Sequence, residues 1–266
     1  MLETDMKKIG IIGCGTIGTG IAEFIQANLY IKARVVALCD IDSKKAESLS
    51  KKIKPHPVVT TIDNLIKKSD LIIEAASAKI SGIIAEKSVF AGKDVLIMST
   101  GGLLKKTSLF EKAKSKGCSI YIPSGAICGL DGLRSAGIGR ITRVNLTTRK
   151  PPRGLKGAPY LKEKNIDIEG IDKETLVYSG NAEEAIKYFP QNVNVAATLS
   201  ILGIGPRRTN VRIIASPAYT KNIHEVEVEG EFGRLFTRTE NVPSKNNPKT
   251  SQLAIFSALA KLKEVL

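Results

Sequence analysis

The stretch "KIGIIGCGTIGTGIAEFI", residues 8–25, decides how this chain is read. Lys8 to Gly13 has the make-up of a short buried strand. From Thr16 a helix is expected, because Ile17, Ile21, Phe24 and Ile25 fall at i, i+4, i+7 and i+8 on one face. Gly13, Gly15 and Gly18 therefore sit at a strand-to-helix turn. The first permits the tight turn, the second lets backbone approach a pyrophosphate, and the third lets helix and strand pack closely. The helix start at Thr16 and Ile17 offers backbone amides and the positive end of the helix dipole to phosphates.

Such a glycine pattern is weak by itself, and the residues after it give it weight. A second strand, "ARVVALCD", ends at Asp40, about where an acid meets the adenosine ribose hydroxyls of a bound dinucleotide. The alternative is that Asp40 caps the next helix, "DSKKAESLSKKI". An acid here favours NAD over NADP by repelling the 2′-phosphate, while Lys44 and Lys45 leave use of both open. Further on, "DLIIEAAS", "KDVLIMST" and "CSIYIPSG" read as strands, with "KISGIIAEKSVFAG" and "TSLFEKAKSKG" as helices between them. That alternation predicts a Rossmann-type, doubly wound α/β domain with a parallel sheet. Ligands bind outside the carboxyl ends of such strands, which places Ala76, Ser77, Ser99 and Ala126 at the cofactor edge.

After about Ile127 the alternation stops. "RVNLTT", "TLVYSG", "TNVRIIAS" and "IHEVEVEG" have period-two strand character, with Val226 and Val228 on one face and Glu225, Glu227 and Glu229 on the other. "NAEEAIKYFP" reads as a helix with Asn181 as N-cap and Glu184 completing a capping box. The second domain is thus expected to be α+β. The prolines of "RKPPRGLKGAPYLKEKNIDIEG" argue for an open loop. A last helix is expected to start at Asn247 with Pro248 in its first position, and to carry a stripe of Leu253, Phe256, Leu259 and Ala260 back to the first domain. The expected division is 1–126 plus the helix 247–266 for dinucleotide binding, and 127–246 for a smaller substrate, catalytic and dimerisation domain.

Composition bounds the rest. With 42% hydrophobic and 25% charged residues, the chain is of ordinary globular type. No apolar run approaches membrane-spanning length and the first ten residues do not resemble a signal peptide, so a cytoplasmic protein is expected. Cys14, Cys39, Cys118, Cys128, His56 and His224 show no metal-ligand spacing; no metal site is expected, and the cysteines read as small buried thiols. Lys+Arg 40 against Asp+Glu 26 gives a net charge of +14. The lysines are spread along helices instead of interleaved with aromatics, which suits anionic small molecules better than nucleic acid.

A dinucleotide domain with an α+β partner is most economically an oxidoreductase with substrate in the cleft between the two. Hydride transfer usually needs one group to handle a proton, and His224 is the leading candidate, against the alternative of a core-edge or surface histidine. His56, between two prolines, reads as exposed and idle. Asn192 and Asn194 lie in an otherwise apolar run, where they either bind a carboxamide or carboxylate or form a turn before a helix.

The chain also resembles the L-aspartate dehydrogenases along nearly its whole length. The resemblance is carried by "GIIGCGTIGTGIA", "STGG", "PSGAICGLDG", "TTRKPPRGLKGAPY", "FPQNVNVAATLSILGIGP", "NIHEVEVEGEFG" and "ENVPSKNNPKTSQLA". It implies reversible oxidation of L-aspartate to iminoaspartate with NAD or NADP. The imine then hydrolyses to oxaloacetate and ammonia or feeds NAD biosynthesis through quinolinate. It further implies His224 as the active-site histidine, Ala126 and either Asn192 or Asn194 as cofactor contacts, with Asn192 preferred, and a homodimer. Thr250 and Ser251 are expected to help bind a substrate carboxylate. The rivals are a dihydrodipicolinate- or homoserine-type reductase and a non-catalytic NAD-binding sensor.

Overall fold

The computed structural model describes residues 6–190, 193–244 and 247–266. They divide into two compact units, Met1–Pro123 with Ile255–Leu266, and Ser124–Ala254. Ser124, Gly125 and Ala126 thus belong to the second unit, and the last helix contributes its length from Ile255 to the first.

The first unit alternates through β1 (Lys7–Ile12), α1 (Thr16–Asn28), β2 (Ala33–Cys39), α2 (Ser43–Lys52), β3 (Val58–Val59), α3 (Ile62–Lys68), β4 (Leu71–Glu74), α4 (Ala78–Phe90), β5 (Asp94–Ile97), α5 (Ser108–Ser115) and β6 (Ile120–Tyr121), as expected except that β3 and α3 add a strand and a helix not expected from the sequence. The strands form a parallel sheet in the order β3-β2-β1-β4-β5-β6. This is the dinucleotide-binding order, whose direction of winding reverses between β1 and β4. Ile9, Ile11 and Ile73 pack on one face with Ile21 and Ile25 of α1 and Leu49 of α2. On the other face α3 brings Leu65 over Gly10. Asp42, not Asp40, caps α2 by accepting from the Lys44 amide, so Asp40 is released from the capping role.

The second unit holds α6 (Leu130–Ala136), β7 (Ile141–Lys150), α7 (Pro159–Glu163), β8 (Thr175–Asn181), α8 (Ala182–Tyr188), α9 (Val193–Leu202), β9 (Thr209–Ala215), β10 (Asn222–Gly230), β11 (Gly233–Asn241), β12 (Pro243–Ser244) and β13 (Asn247–Ser251). Its main sheet runs β11-β10-β7-β9-β8, antiparallel except for the β7–β9 pair. Val144, Leu146, Val226, Val228, Val211 and Ile213 line the inner face of the sheet. Asn181 caps α8 through the Glu184 amide, as the capping pattern predicts.

Two expectations are corrected. The proline-rich segment is not an open loop: β7 runs to Lys150, a 3-10 turn spans Pro152–Leu155 and α7 starts on Pro159. A proline is tolerated in a first helical turn, where its missing N–H would have no partner anyway. The last helix, α10 (Gln252–Val265), begins five residues later than Asn247, because residues 247–251 pair with Pro243 and Ser244 as β13. Its buried positions are Ile255, Ser257, Ala258 and Leu262, with Leu259 half-buried, whereas Leu253, Phe256 and Ala260 are exposed. The apolar stripe is therefore rotated from the one read in the sequence. Ala258 and Leu262 join the core of the first unit.

Among the described residues, no helix is long and apolar enough to cross a membrane.

Candidate functional site

In the first unit the three glycines do three different things. Gly13 has φ +97°, and a Cβ there would lie 2.5 Å from the carbonyl carbon and oxygen of Ala75. Only a glycine can make this turn while the loop after β1 touches the loop after β4. At Gly18 a Cβ would sit 1.9 Å from the Gly13 carbonyl oxygen, so helix and turn meet backbone to backbone. Gly15 differs: a Cβ there would meet nothing within 4 Å. The missing side chain leaves open space at the start of α1, a helix that no side chain caps and whose first turn holds no acid. Thr16 and Ile17, half-buried, begin that helix.

Asp40 comes directly after β2 and is half-buried. Its Oδ2 accepts from the Cys14 amide at 2.6 Å and its Oδ1 from the Asp42 amide at 2.9 Å. The carboxylate is thus tied to the glycine turn, and each oxygen retains a lone pair for a ribose hydroxyl. Lys45 is drawn to Asp42 at 3.8 Å, which engages one of the two lysines considered as an offset to Asp40.

The loops after β4 and β5 are joined by a residue whose part the sequence reading did not foresee. Glu74 is fully buried; its Oε1 accepts from the Ala76 amide at 2.8 Å and its Oε2 from the Ser99 amide at 2.9 Å. Burial pushes its pKa up, against those backbone donors. Ala76 and Ser77 are exposed at the edge, while Ser99 is buried and its carbonyl accepts from Ser81 Oγ. A lone glutamate ending an all-apolar strand was the available signal.

These residues fit a dinucleotide: an uncapped helix start with space above it for phosphates, an oriented acid at the ribose position, and a turn that only glycines can make. Cys14 is buried against this turn, and burial, with Asp40 adding to it, pushes its thiol up to about 12. It is an inert thiol at neutral pH. Cys118 is buried too, but Cys39 is half-buried and Cys128 exposed, so the expectation of four buried thiols is not met. His56 is exposed yet engaged, with Nδ1 2.8 Å from the Ser50 carbonyl and Nε2 3.0 Å from Lys54 Nζ. Among the described residues, no group of three His, Cys, Asp or Glu side chains could hold a metal ion.

In the second unit, His224 shares the inner face of β10 with Val226 and Val228 and is 6% exposed. Opposite it in the ladder stands Thr148, whose Oγ1 lies 3.0 Å from His224 Nδ1. Burial, and next the Lys150 charge, lower the imidazole pKa to about 3. The neutral ring is therefore the resting form at pH 7.

Beside it β11 supplies Thr239 and Asn241. Both donate to the Ala126 carbonyl, at 2.9 and 3.0 Å, and Ser251 Oγ donates to Asn241 Oδ1 at 2.6 Å. Ala126 is thus fixed by two side chains, and the Ser251 hydroxyl orients Asn241 instead of standing open for a substrate carboxylate. Thr250, half-buried, precedes it in β13. Asn194 is exposed on α9, and Asn192 lies outside the described residues. Thr148, Lys150, Thr239 and Asn241 were not singled out in the sequence; the period-two register that places Leu146 inward also places Thr148 and Lys150 inward, and that was the signal.

Residues 131–265 match the family described as "Aspartate dehydrogenase, C-terminal", and residues 13–123 match "Homoserine dehydrogenase, NAD binding domain". The L-aspartate dehydrogenase of Methanosarcina barkeri is 48% identical over 265 residues, covering 98% of this chain and 97% of its own. The chain belongs to the L-aspartate dehydrogenase family. Another L-aspartate dehydrogenase, from Nitrosopumilus maritimus, is 41% identical and covers 97% of this chain and 96% of its own. The crystal structure of aspartate dehydrogenase from Thermotoga maritima aligns at TM-score 0.72 and 26% identity, covering 97% of this chain and 96% of that one. A homoserine dehydrogenase from Thiobacillus denitrificans shares the fold at TM-score 0.62 and 16% identity, with 97% and 73% coverage. The L-aspartate dehydrogenase match over 131–265 takes in Thr148, Lys150, His224 and Asn241, so the half that sets the chain apart from homoserine-type reductases is the half that holds the buried histidine.

Proposed function

We propose that this chain oxidises L-aspartate to iminoaspartate with NAD or NADP and runs the reductive amination in reverse. The observation that carries the reading is the buried, neutral His224, held through Nδ1 by Thr148, on the segment that matches the aspartate dehydrogenase family. At neutral pH the substrate amine is an ammonium and must lose a proton before hydride can leave the α-carbon. A neutral imidazole accepts that proton, and in the reverse direction the imidazolium returns it to the amine nitrogen once the iminium carbon has received hydride. For Nε2 to be the acceptor, Nδ1–H must donate to Thr148 Oγ1, which fixes the tautomer and the ring plane. The nicotinamide, when bound, takes the hydride.

In the same reading Gly13, Gly15 and Gly18, with the amides opening α1 at Thr16 and Ile17, hold the pyrophosphate. Asp40 holds the adenosine ribose and favours NAD, since a carboxylate repels a 2′-phosphate. Ala76, Ser77 and Ser99 line the cofactor edge that Glu74 secures, and Ala126 with Asn192 or Asn194 touches the cofactor. The protein works in the cytoplasm as a homodimer, and its imine either hydrolyses or is consumed in NAD biosynthesis on the way to quinolinate. To test the reading, oxaloacetate, ¹⁵N-ammonium and reduced cofactor are supplied and the amino acid formed is analysed. ¹⁵N-labelled L-aspartate is expected. Formation of L-malate or of no amino acid would contradict it.

A further inference from the structure

Along β7 the inward side chains are Val144, Leu146, Thr148 and Lys150, and all four are buried. Lys150 closes this series at 9% exposure, on a face otherwise built largely of aliphatic groups. Lysine is rarely so buried, because its ammonium gives up hydration there. Its register partner on β9 is Ala215, two residues before it Thr148 bonds the His224 ring, and Thr239 lies across the ladder from His224. The stem of Lys150 runs beside Gly154, where an added Cβ would lie 3.6 Å from its Cδ. The 3-10 turn after β7 thus lies alongside the lysine stem. The ammonium is near enough to the imidazole for its charge to lower the ring's proton affinity.

We propose that Lys150 is a substrate-binding residue, whose ammonium pairs with a carboxylate of the dicarboxylate substrate beside the His224 imidazole. This rests on the reading that L-aspartate is the substrate. A buried cation pairs more strongly with an anion than a surface one does, because little water screens the pair. The pairing has a chemical consequence as well. Substrate charge offsets the Lys150 field at His224, so the imidazole becomes a better proton acceptor when an amine is present to be deprotonated. Burial already lowers the Lys150 pKa to about 8, and a carboxylate beside it would hold the proton on.

The test compares the parent protein with Lys150→Met, Lys150→Arg and a control, Lys156→Met, which removes an exposed lysine paired with Glu169. Succinate, which carries two carboxylates and no amine, serves as the probe, read by thermal shift and by inhibition against L-aspartate. Lys150→Met is expected to raise the KM for L-aspartate and the Ki for succinate about tenfold or more, to abolish the succinate-induced shift in Tm, and to leave the NAD dissociation constant within about twofold. Lys150→Arg should keep part of the succinate response, and Lys156→Met all of it.

Parental KM and Ki in Lys150→Met would overturn the proposal, as would a lower Tm with succinate binding intact, which would mark a purely structural lysine. If methionine prevents folding, Lys150→Gln reads the same difference with a neutral polar head. Lys150-dependent succinate binding in a parent that does not turn over L-aspartate would uphold the anion site while refuting the substrate assignment.

Discussion

At the scale of single residues, His224 shows how burial keeps an imidazole unprotonated, at a cost to its basicity. A surface imidazole would be partly protonated near neutrality; this one is neutral because the apolar face and Lys150 both disfavour the cation. The same shift makes stability depend on pH. The folded pKa, about 3, lies below the unfolded value of about 6.5. Below pH 6.5 the unfolded chain therefore binds a proton that the folded chain refuses, and stability is lost as pH falls from 6.5 toward 3. His224→Asn cannot take up that proton. Urea unfolding at pH 7 and pH 5 should show the parent losing ~2 kcal/mol more than the variant over that interval. An equal loss in both would mean that His224 is already hydrated in the folded state.

At the scale of elements, the glycine turn makes a prediction that separates folding from binding. Gly18→Ala drives a methyl into the Gly13 carbonyl, and no rotamer relieves it. Overpacking of this kind costs about 1–3 kcal/mol, so Tm should fall by several degrees. Gly15→Ala meets no atom of the chain and has an ordinary φ of −77°. It should fold with unchanged Tm but bind NAD about tenfold more weakly, because the methyl occupies the space left for the pyrophosphate. Titrating NAD into both variants, alongside their melting curves, checks the pair.

The last helix offers a second contrast. Leu262→Ala should cost about 2–5 kcal/mol by emptying a core position of the first unit, and Phe256→Ala, at an exposed site, should cost little; urea unfolding of the two variants measures the difference. The sequence favours the stripe through Phe256 because Leu253, Phe256, Leu259 and Ala260 have helical spacing, but so do Ile255, Ala258 and Leu262, and periodicity alone does not choose between the two faces. β13 explains the later start of the helix, since its pairing with Pro243 and Ser244 is not identified by local propensity. β11 was missed for a related reason: its outward positions alternate Arg234, Phe236, Arg238 and Glu240, so its face looks polar on both sides until its pairing with β10 is known.

At the scale of the whole molecule, the α/β half is legible apart from the short β3 and α3, because strand, glycine turn, helix and acid follow one another closely and each step is local. The α+β half was legible in its strands and in His224 but not in the company His224 keeps. Thr148 and Lys150 come from a strand about 75 residues earlier, and Thr239 and Asn241 from the strand after it, brought together only by sheet register. Asp40 was legible as an acid at the right distance, while the two amides that aim it were not. The motifs that the chain shares with L-aspartate dehydrogenases span both halves. The net charge of +14 agrees with an anionic substrate but would equally suit other anions.

One measurement tests the assigned chemistry most directly, the appearance of reduced nicotinamide when the protein meets NAD, or separately NADP, with L-aspartate. D-Aspartate, L-glutamate and L-homoserine are run alongside, and His224→Ala is compared with the parent. The predicted result is turnover confined to L-aspartate that falls about 10²-fold or more in the variant, the range expected for loss of a general base. Turnover of L-homoserine in place of L-aspartate, or a His224→Ala rate equal to that of the parent, would contradict it.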